Sequence, residues 1–221
     1  IGEKISVGNV SQLSKKGVKF VIFGVEESIG PRANIGRGGS ERAWFSFLNS
    51  FLNTQKNKLI DVSKIGILGS FKFSSNKSDL NFLREITSEI DSEVKLVVEK
   101  IISFNMIPIL IGGGHNNAFP LISGFYSAKG HSLNVINCDP HADLRPIEGR
   151  HSGNSFSYAI NSNYLEKYYI LGLHQNYVSN HTFTTIEDVN KKNERIRFSF
   201  YDDWIYGDKG FEKDLSDGIN F

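Results

Sequence analysis

Leu133-Asn134-Val135-Ile136-Asn137-Cys138-Asp139-Pro140-His141-Ala142-Asp143 reads as a core strand that runs straight into three metal-capable side chains. The first six residues are apolar enough for a buried strand. In extended chain, residues two apart point to the same side, so Asp139, His141 and Asp143 would share one face. Successive Cα atoms of that set lie roughly 6–7 Å apart, and two carboxylates and an imidazole converge. Unpaired carboxylates at the end of a buried strand would cost several kcal/mol each if desolvated; a bound cation removes the difficulty. Full extension separates the end Cα atoms by about 13 Å, so one ion is wrapped only if the chain curls. Two ions sharing a bridging carboxylate accommodate the spread better, since paired metals lie about 3.5–4 Å apart and activate a bridging water. Oxygen and imidazole donors without thiolate favour Mn, with Fe, Co or Zn as alternatives. The competing reading is a solvated loop whose carboxylates cap the next turn.

Around this segment, strand-length apolar runs recur at Val18–Val25, Lys64–Phe71, Met106–Ile111, Tyr168–His174 and Arg195–Tyr201. A helix starting near Ser78 carries Leu83, Ile86, Ile90, Val94, Val97, Ile101 and Phe104 at steps of three or four, a stripe that needs a sheet to lie on. Further helices are expected over Glu41 to Leu52 and from about Asn117 to Ala128, the latter closed by Gly130. Alternating strands and helices, with nearly continuous apolar strands, predict a mainly parallel central sheet covered on both faces. That is a three-layer α/β/α architecture in a single domain over residues 1–221.

Ligands of such sheets sit outside the carboxyl ends of the strands. There, Met106–Ile111 runs into Gly112-Gly113-Gly114-His115-Asn116-Asn117, and Tyr168–Leu173 runs into His174-Gln175-Asn176. The glycines could cradle a phosphate with backbone N–H groups, but the dinucleotide fingerprint's third glycine and the P-loop's Lys-Ser/Thr are both missing. The preferred reading is that small residues let the backbone pass beneath a site into which His115 projects as a metal ligand. In the loop Gly149-Arg150-His151-Ser152-Gly153-Asn154-Ser155-Phe156, His151 could shuttle a proton at the mouth of the site, with a plain surface histidine as the alternative. Arg145 continues the Asp139–Asp143 alternation and could fork onto a substrate carboxylate or pair with a local acid. His131, His181, Asp202 and Asp203 take no role, and Gly36-Arg37-Gly38-Gly39-Ser40 reads as a turn before a helix.

Composition narrows the partners. At 221 residues and 39% hydrophobic content the chain can bury a substantial core. Lys+Arg 25 against Asp+Glu 24 gives a net charge of +1, so no bulk field argues for nucleic acid or an anionic membrane. The single cysteine, Cys138, excludes an internal disulfide framework and reads as a small buried residue. No apolar run approaches the roughly 18 residues of a membrane span, and no signal-peptide pattern opens the chain. A cytoplasmic, reducing setting is expected. A chain starting at Ile1 rather than Met suggests that something precedes it.

Taken together, these segments resemble the ureohydrolase family of arginases, agmatinases and formimidoylglutamases. Its glycine-then-histidine motif is similar to Gly112–His115, its Asp-x-His-x-Asp motif to Asp139–Asp143, and its His-x-Gly-x-x-Phe loop to His151–Phe156. The stretch Phe23–Trp44, with Gly30-Pro31-Arg32-Ala33-Asn34 and Gly36-Arg37-Gly38, resembles the family's first strand and active-site loop. The resemblance implies a hydrolase using two Mn2+ ions to cleave a C–N bond of a guanidino or formimino compound. By it, His115 and Asp143 bind one ion, His141 the other, and Asp139 bridges them. Asp143 also orients the attacking hydroxide, His151 relays a proton to the leaving amine, and Arg145 and Asn154 contact the substrate. The Gly-Gly-Gly-His form and the placement of Arg145 look most like formimidoylglutamase. A cationic Arg145 suits a carboxylate-bearing substrate and repels an agmatine-like cation. Homo-oligomerisation is a further expectation from the resemblance.

One departure stands out. The family's later Asp-x-Asp motif, carrying two further ligands on a strand central to its sheet, has no counterpart after Tyr201. The expectation is that the natural protein continues beyond Phe221, and that the chain as it stands binds metal weakly. A non-catalytic assembly module and a histone-deacetylase-like Zn amidohydrolase are the alternatives.

Overall fold

The computed structural model describes residues 1–221, which divide into two compact units: Ile1–Gly130 with Glu148–Ser152, and His131–Ile147 with Gly153–Phe221. Strands and helices alternate as the apolar runs predict, and every strand pairing is parallel. The strands form two hydrogen-bonded sheets.

The first unit runs β1 (Ser6–Val7), α1 (Val10–Lys15), β2 (Phe20–Glu26), α2 (Ile29–Ala33), α3 (Ala43–Leu52), β3 (Ile65–Lys72), α4 (Leu80–Ser103), β4 (Ile107–Ile111) and α5 (Ala118–Lys129). Its sheet has the order β1-β3-β2-β4. Central β2 is buried from Val21 to Val25 because it meets helices on both faces. Val21, Phe23 and Val25 join Leu83, Ile90, Val94, Val98 and Ile101 of α4, whereas Ile22 packs with Ile67 and with Trp44 of α3. Alternate residues of one strand thus enter two cores, which makes the three layers. Gly24 completes the second core, since a Cβ there would stand 2.3 Å from the Trp44 ring.

Helix α4 follows its apolar stripe with two refinements. Asp79, not Ser78, is the N-cap, accepting from the Phe82 N–H at 2.8 Å. The buried set passes through Val98 rather than Val97, because 3.6 residues per turn carries the stripe round by that step. Helix α5 ends at Gly130 in the left-handed conformation (φ 75°), its N–H reaching Tyr126 O at 2.8 Å.

The second unit contains β5 (Leu133–Cys138), α6 (Ser155–Asn161), β6 (Leu165–Leu173), α7 (Asn180–Asn190), β7 (Ile196–Phe200), α8 (Tyr201–Tyr206) and α9 (Phe211–Asn220), with sheet order β5-β6-β7. Central β6 is buried from Tyr168 to Leu173. Tyr168 stacks on Phe156 of α6 with ring centroids 4.2 Å apart. On the other face, Gly218 of α9 lies against the Tyr169 ring. Strand β5 departs from the expectation of a buried core strand. It is an edge strand with Asn134, Ile136 and Cys138 exposed, so the Cys138 thiol is not a core residue. No helix of the chain is long and apolar enough to cross a membrane.

Candidate metal centre

At the carboxyl end of β5 the ladder continues one step, Asp139 N–H donating to Leu171 O at 3.2 Å, and His174 N–H donates to Pro140 O at 3.1 Å. The chain then curls instead of extending. Asp139 Oδ1 accepts from the His141 N–H at 2.8 Å, a side-chain turn that folds the backbone over its own carboxylate. Asp143 takes the left-handed conformation (φ 47°), which aspartate tolerates better than most residues. As a result, carboxylate oxygens of Asp139 and Asp143 lie within 4.8 Å of each other. The chain therefore meets the condition for wrapping one ion, a curl in place of full extension, and alternation does not align the three side chains.

His141 follows a different course. Its Nδ1 is 3.3 Å from Asp139 Oδ1, its ring stacks on Tyr177 at 4.7 Å, and its side chain is 54% exposed. Beneath the turn, Tyr168 Oη donates to Ala142 O at 2.9 Å and accepts from Asn137 Nδ2 at 3.0 Å. Burial pushes the Tyr168 phenol well above its usual range, with the charges of Asp143 and Asp139 adding to the effect, so it stays a donor. Two half-buried acids held this close repel one another, and hard oxygen donors of this kind suit a divalent cation. The residues present therefore fit the metal that the sequence implies.

Arg145 and Asn154 belong to the same unit. The left-handed turn at Asp143 ends any alternation through Arg145. That residue is exposed and lines a cavity of about 260 Å³ with Leu144, Ile147, Ser157, His181 and Thr185. Asn154 is fully buried, and its amide donates to Pro146 O at 3.1 Å. The neighbouring backbone is pinned by Arg145 N–H to Gly153 O at 3.0 Å and by Ser157 Oγ to Arg145 O at 2.7 Å.

In the first unit, His115 opens a 3-10 turn (His115–Asn117) between β4 and α5. Gly112 and Gly113 bend the chain there with positive φ (85° and 69°). The anion this loop cradles is the protein's own: Gly114 N–H donates to Glu27 Oε1 at 2.6 Å. That occupant replaces the phosphate the glycines could otherwise have bound. His151 is fully buried, against the surface-histidine reading, with Nε2 3.3 Å from Glu148 Oε1. Its loop is anchored by Arg150, whose Nε reaches Asp91 Oδ2 at 2.6 Å and whose Nη2 reaches Asn116 O at 3.1 Å, with the guanidinium over the Phe119 ring. Ser152 N–H adds a bond to Gly30 O at 3.1 Å.

Glu27, Asp91 and Arg150 were not singled out from the sequence. A signal existed for the first: like Asp139, Glu27 is a carboxylate just past the end of a strand-length apolar run. Asp91 carried none, since a polar residue on a long helix usually faces solvent.

The arginase family model matches residues 32–198. A formimidoylglutamase of Geobacillus sp. is 28% identical over 182 residues, 78% of this chain and 51% of the relative. One of Streptococcus gordonii is 28% identical over 191 residues, 83% of this chain and 54% of the relative. The chain thus spans about half the length of the curated relatives it matches. Among solved structures, Trypanosoma cruzi formiminoglutamase with Mn2+ superposes with a TM-score of 0.76 at 19% identity, covering 96% of this chain and 71% of that one. Bacillus subtilis formimidoylglutamase superposes at 0.69 with 15% identity, covering 92% and 61%. At these identities the likeness speaks for the parallel α/β fold. The family match extends over most of the chain, including the His115 turn, the Asp139–Asp143 turn and the His151 loop, and the chain belongs to the arginase family.

Proposed function

We propose that the protein is a metal-dependent hydrolase that cleaves a C–N bond of a linear amidine, with formimidoylglutamate as substrate and glutamate and formamide as products. The observation that carries this reading is the curled Asp139–Asp143 turn, which brings two carboxylates within 4.8 Å. In the proposal Asp139, Asp143 and His115 would hold one Mn2+ ion, and Asp139 with His141 would hold a second. When bound, the ions supply Lewis acidity that polarises the amidine and lowers the pKa of water. The bond between the amidine carbon and the glutamate nitrogen breaks as the oxygen of water bonds to that carbon; one proton of the water goes to the leaving glutamate nitrogen and the other to the imino nitrogen, which gives formamide. His151 delivers the proton to the leaving nitrogen, with Glu148 on its Nε2 setting the tautomer. Arg145 faces solvent beside Asp143 in sequence and supplies a cation for a glutamate carboxylate.

Support for the substrate comes from relatives named formimidoylglutamase, and the cationic Arg145 disfavours a diamine cation. The test is a release assay on full-length, Mn2+-loaded protein, comparing formamide from formimidoylglutamate with urea from arginine and agmatine. Formamide alone is the expected product; urea from agmatine alone would overturn both the substrate and the role of Arg145. Metal analysis near two Mn per chain is expected alongside.

A further inference from the structure

Glu27 is fully buried, and its carboxylate is enclosed by donors from two segments far apart in sequence. Oε2 accepts from Gly30 N–H at the start of α2 at 2.9 Å. Oε1 accepts from Gly114 N–H at 2.6 Å and from Asn117 Nδ2 at 3.3 Å, and the Asn116 amide, nitrogen toward the acid, adds a bond at 3.2 Å. The carboxylate therefore fastens both sides of His115 to α2. The surrounding glycines belong to the same device. A Cβ on Gly113 would meet Glu27 Oε1 at 2.8 Å, and one on Gly30 would stand 1.9 Å from the Asn116 side-chain amide. The glycine run is small because an acid and two amides fill the space beside it.

We propose that Glu27 is a positioning residue for His115: it sets the backbone from which the imidazole projects and so fixes the aim of a metal ligand. The inference rests on the proposed role of His115 as a ligand. Four donors facing one buried carboxylate are charge-assisted bonds, stronger than neutral ones, and groups that orient a metal ligand typically change metal affinity by 10–100-fold when replaced. Glu27→Gln keeps the shape but must turn an N–H toward a donor it now accepts from. Glu27→Asp keeps the charge and withdraws it by one methylene.

The test measures Mn2+ affinity by titration calorimetry on the full chain, in wild type, Glu27→Gln, Glu27→Asp, His115→Ala and the Glu27→Gln/His115→Ala pair. Loss of Mn2+ affinity on the order of tenfold is expected for each Glu27 variant, with no further loss when Glu27→Gln is added to His115→Ala. A purely structural role would weaken binding equally in both backgrounds and would overturn the proposal, as would unchanged affinity in the singles. Should Glu27→Gln fail to fold, Glu27→Asp decides by the same criterion in the same two backgrounds. If His115→Ala itself leaves Mn2+ binding intact, the ligand role of His115 fails, and with it the aim assigned to Glu27. Hydrogen exchange at the Gly114 amide then reads the clamp alone: acceleration of at least about tenfold in Glu27→Gln keeps the carboxylate as the anchor of the turn, and unchanged exchange removes that too.

Discussion

Arg150 meets Asp91 with Nε 2.6 Å from Oδ2, and both side chains are almost wholly buried, 3% and 6% exposed. The pair ties the His151 loop to the middle of α4, yet Asp91 Oδ1 has no hydrogen-bond partner. Burial therefore outweighs the attraction of Arg150 and pushes the Asp91 carboxyl up from 3.8 to about 6. A raised pKa in the folded state means that the native protein holds the proton more tightly than the unfolded chain. The stability this contributes is complete below pH 3.8 and lost as pH rises through about 6. The stability of wild type minus that of Asp91→Asn should thus fall by about 2 kcal/mol between pH 4 and pH 7. Urea unfolding at the two pH values measures it; a rise would mean that Arg150, not burial, governs the acid.

Tyr168 presents a second buried dependency. Its hydroxyl is bonded on both sides, to Ala142 O and from Asn137 Nδ2, directly under the Asp139–Asp143 turn. Tyr168→Phe leaves a buried carbonyl and a buried amide without that partner, at a cost of about 1–3 kcal/mol. Mn2+ affinity should drop along with stability, because the turn loses its floor. Calorimetric titration of the variant with Mn2+ checks this, and unchanged affinity would detach Tyr168 from the site.

The close approach of Gly24 to Trp44 predicts a purely structural defect. A methyl at position 24 would stand 2.3 Å from the indole, and the ring sits in a packed core with Ile22 and Ile67. Gly24→Ala should destabilise the fold by about 1–3 kcal/mol through overpacking. Thermal unfolding reads it directly, and a fully stable variant would show that α3 can slide away from the sheet.

These cases also mark how far the amino-acid sequence could be read. Helix α4 was legible because Leu83, Ile90, Val94 and Ile101 repeat with the period of a helix that covers a sheet. Strand β5 was legible as a strand but not as an edge: Ile136 looks like a core residue, and only pairing tells that no strand covers its other side. The chemistry of Asp139 and Asp143 could be read from residue type, whereas their approach depends on one side-chain turn and one left-handed aspartate, neither of which has a periodic signature. Glu27 escaped because, apart from the nearby Gly30 N–H, its partners are the Gly114 N–H and the side-chain amides of Asn116 and Asn117, nearly ninety residues away in the chain.

His141 gives the sharpest separation of stability from function. Its side chain is more than half exposed, and its contacts are the Tyr177 stack and a 3.3 Å approach to Asp139, while the turn itself is closed by the backbone N–H that any residue but proline would keep. His141→Ala should therefore change folding stability by no more than about 0.5 kcal/mol, as for ordinary surface substitutions. If His141 holds the second ion, the same change should lower the Mn stoichiometry from two toward one and abolish amidine hydrolysis. Denaturant unfolding and metal analysis on one preparation decide the matter. A stable variant that still carries two ions would take His141 out of the metal set and leave it as a ring stacked beside Tyr177.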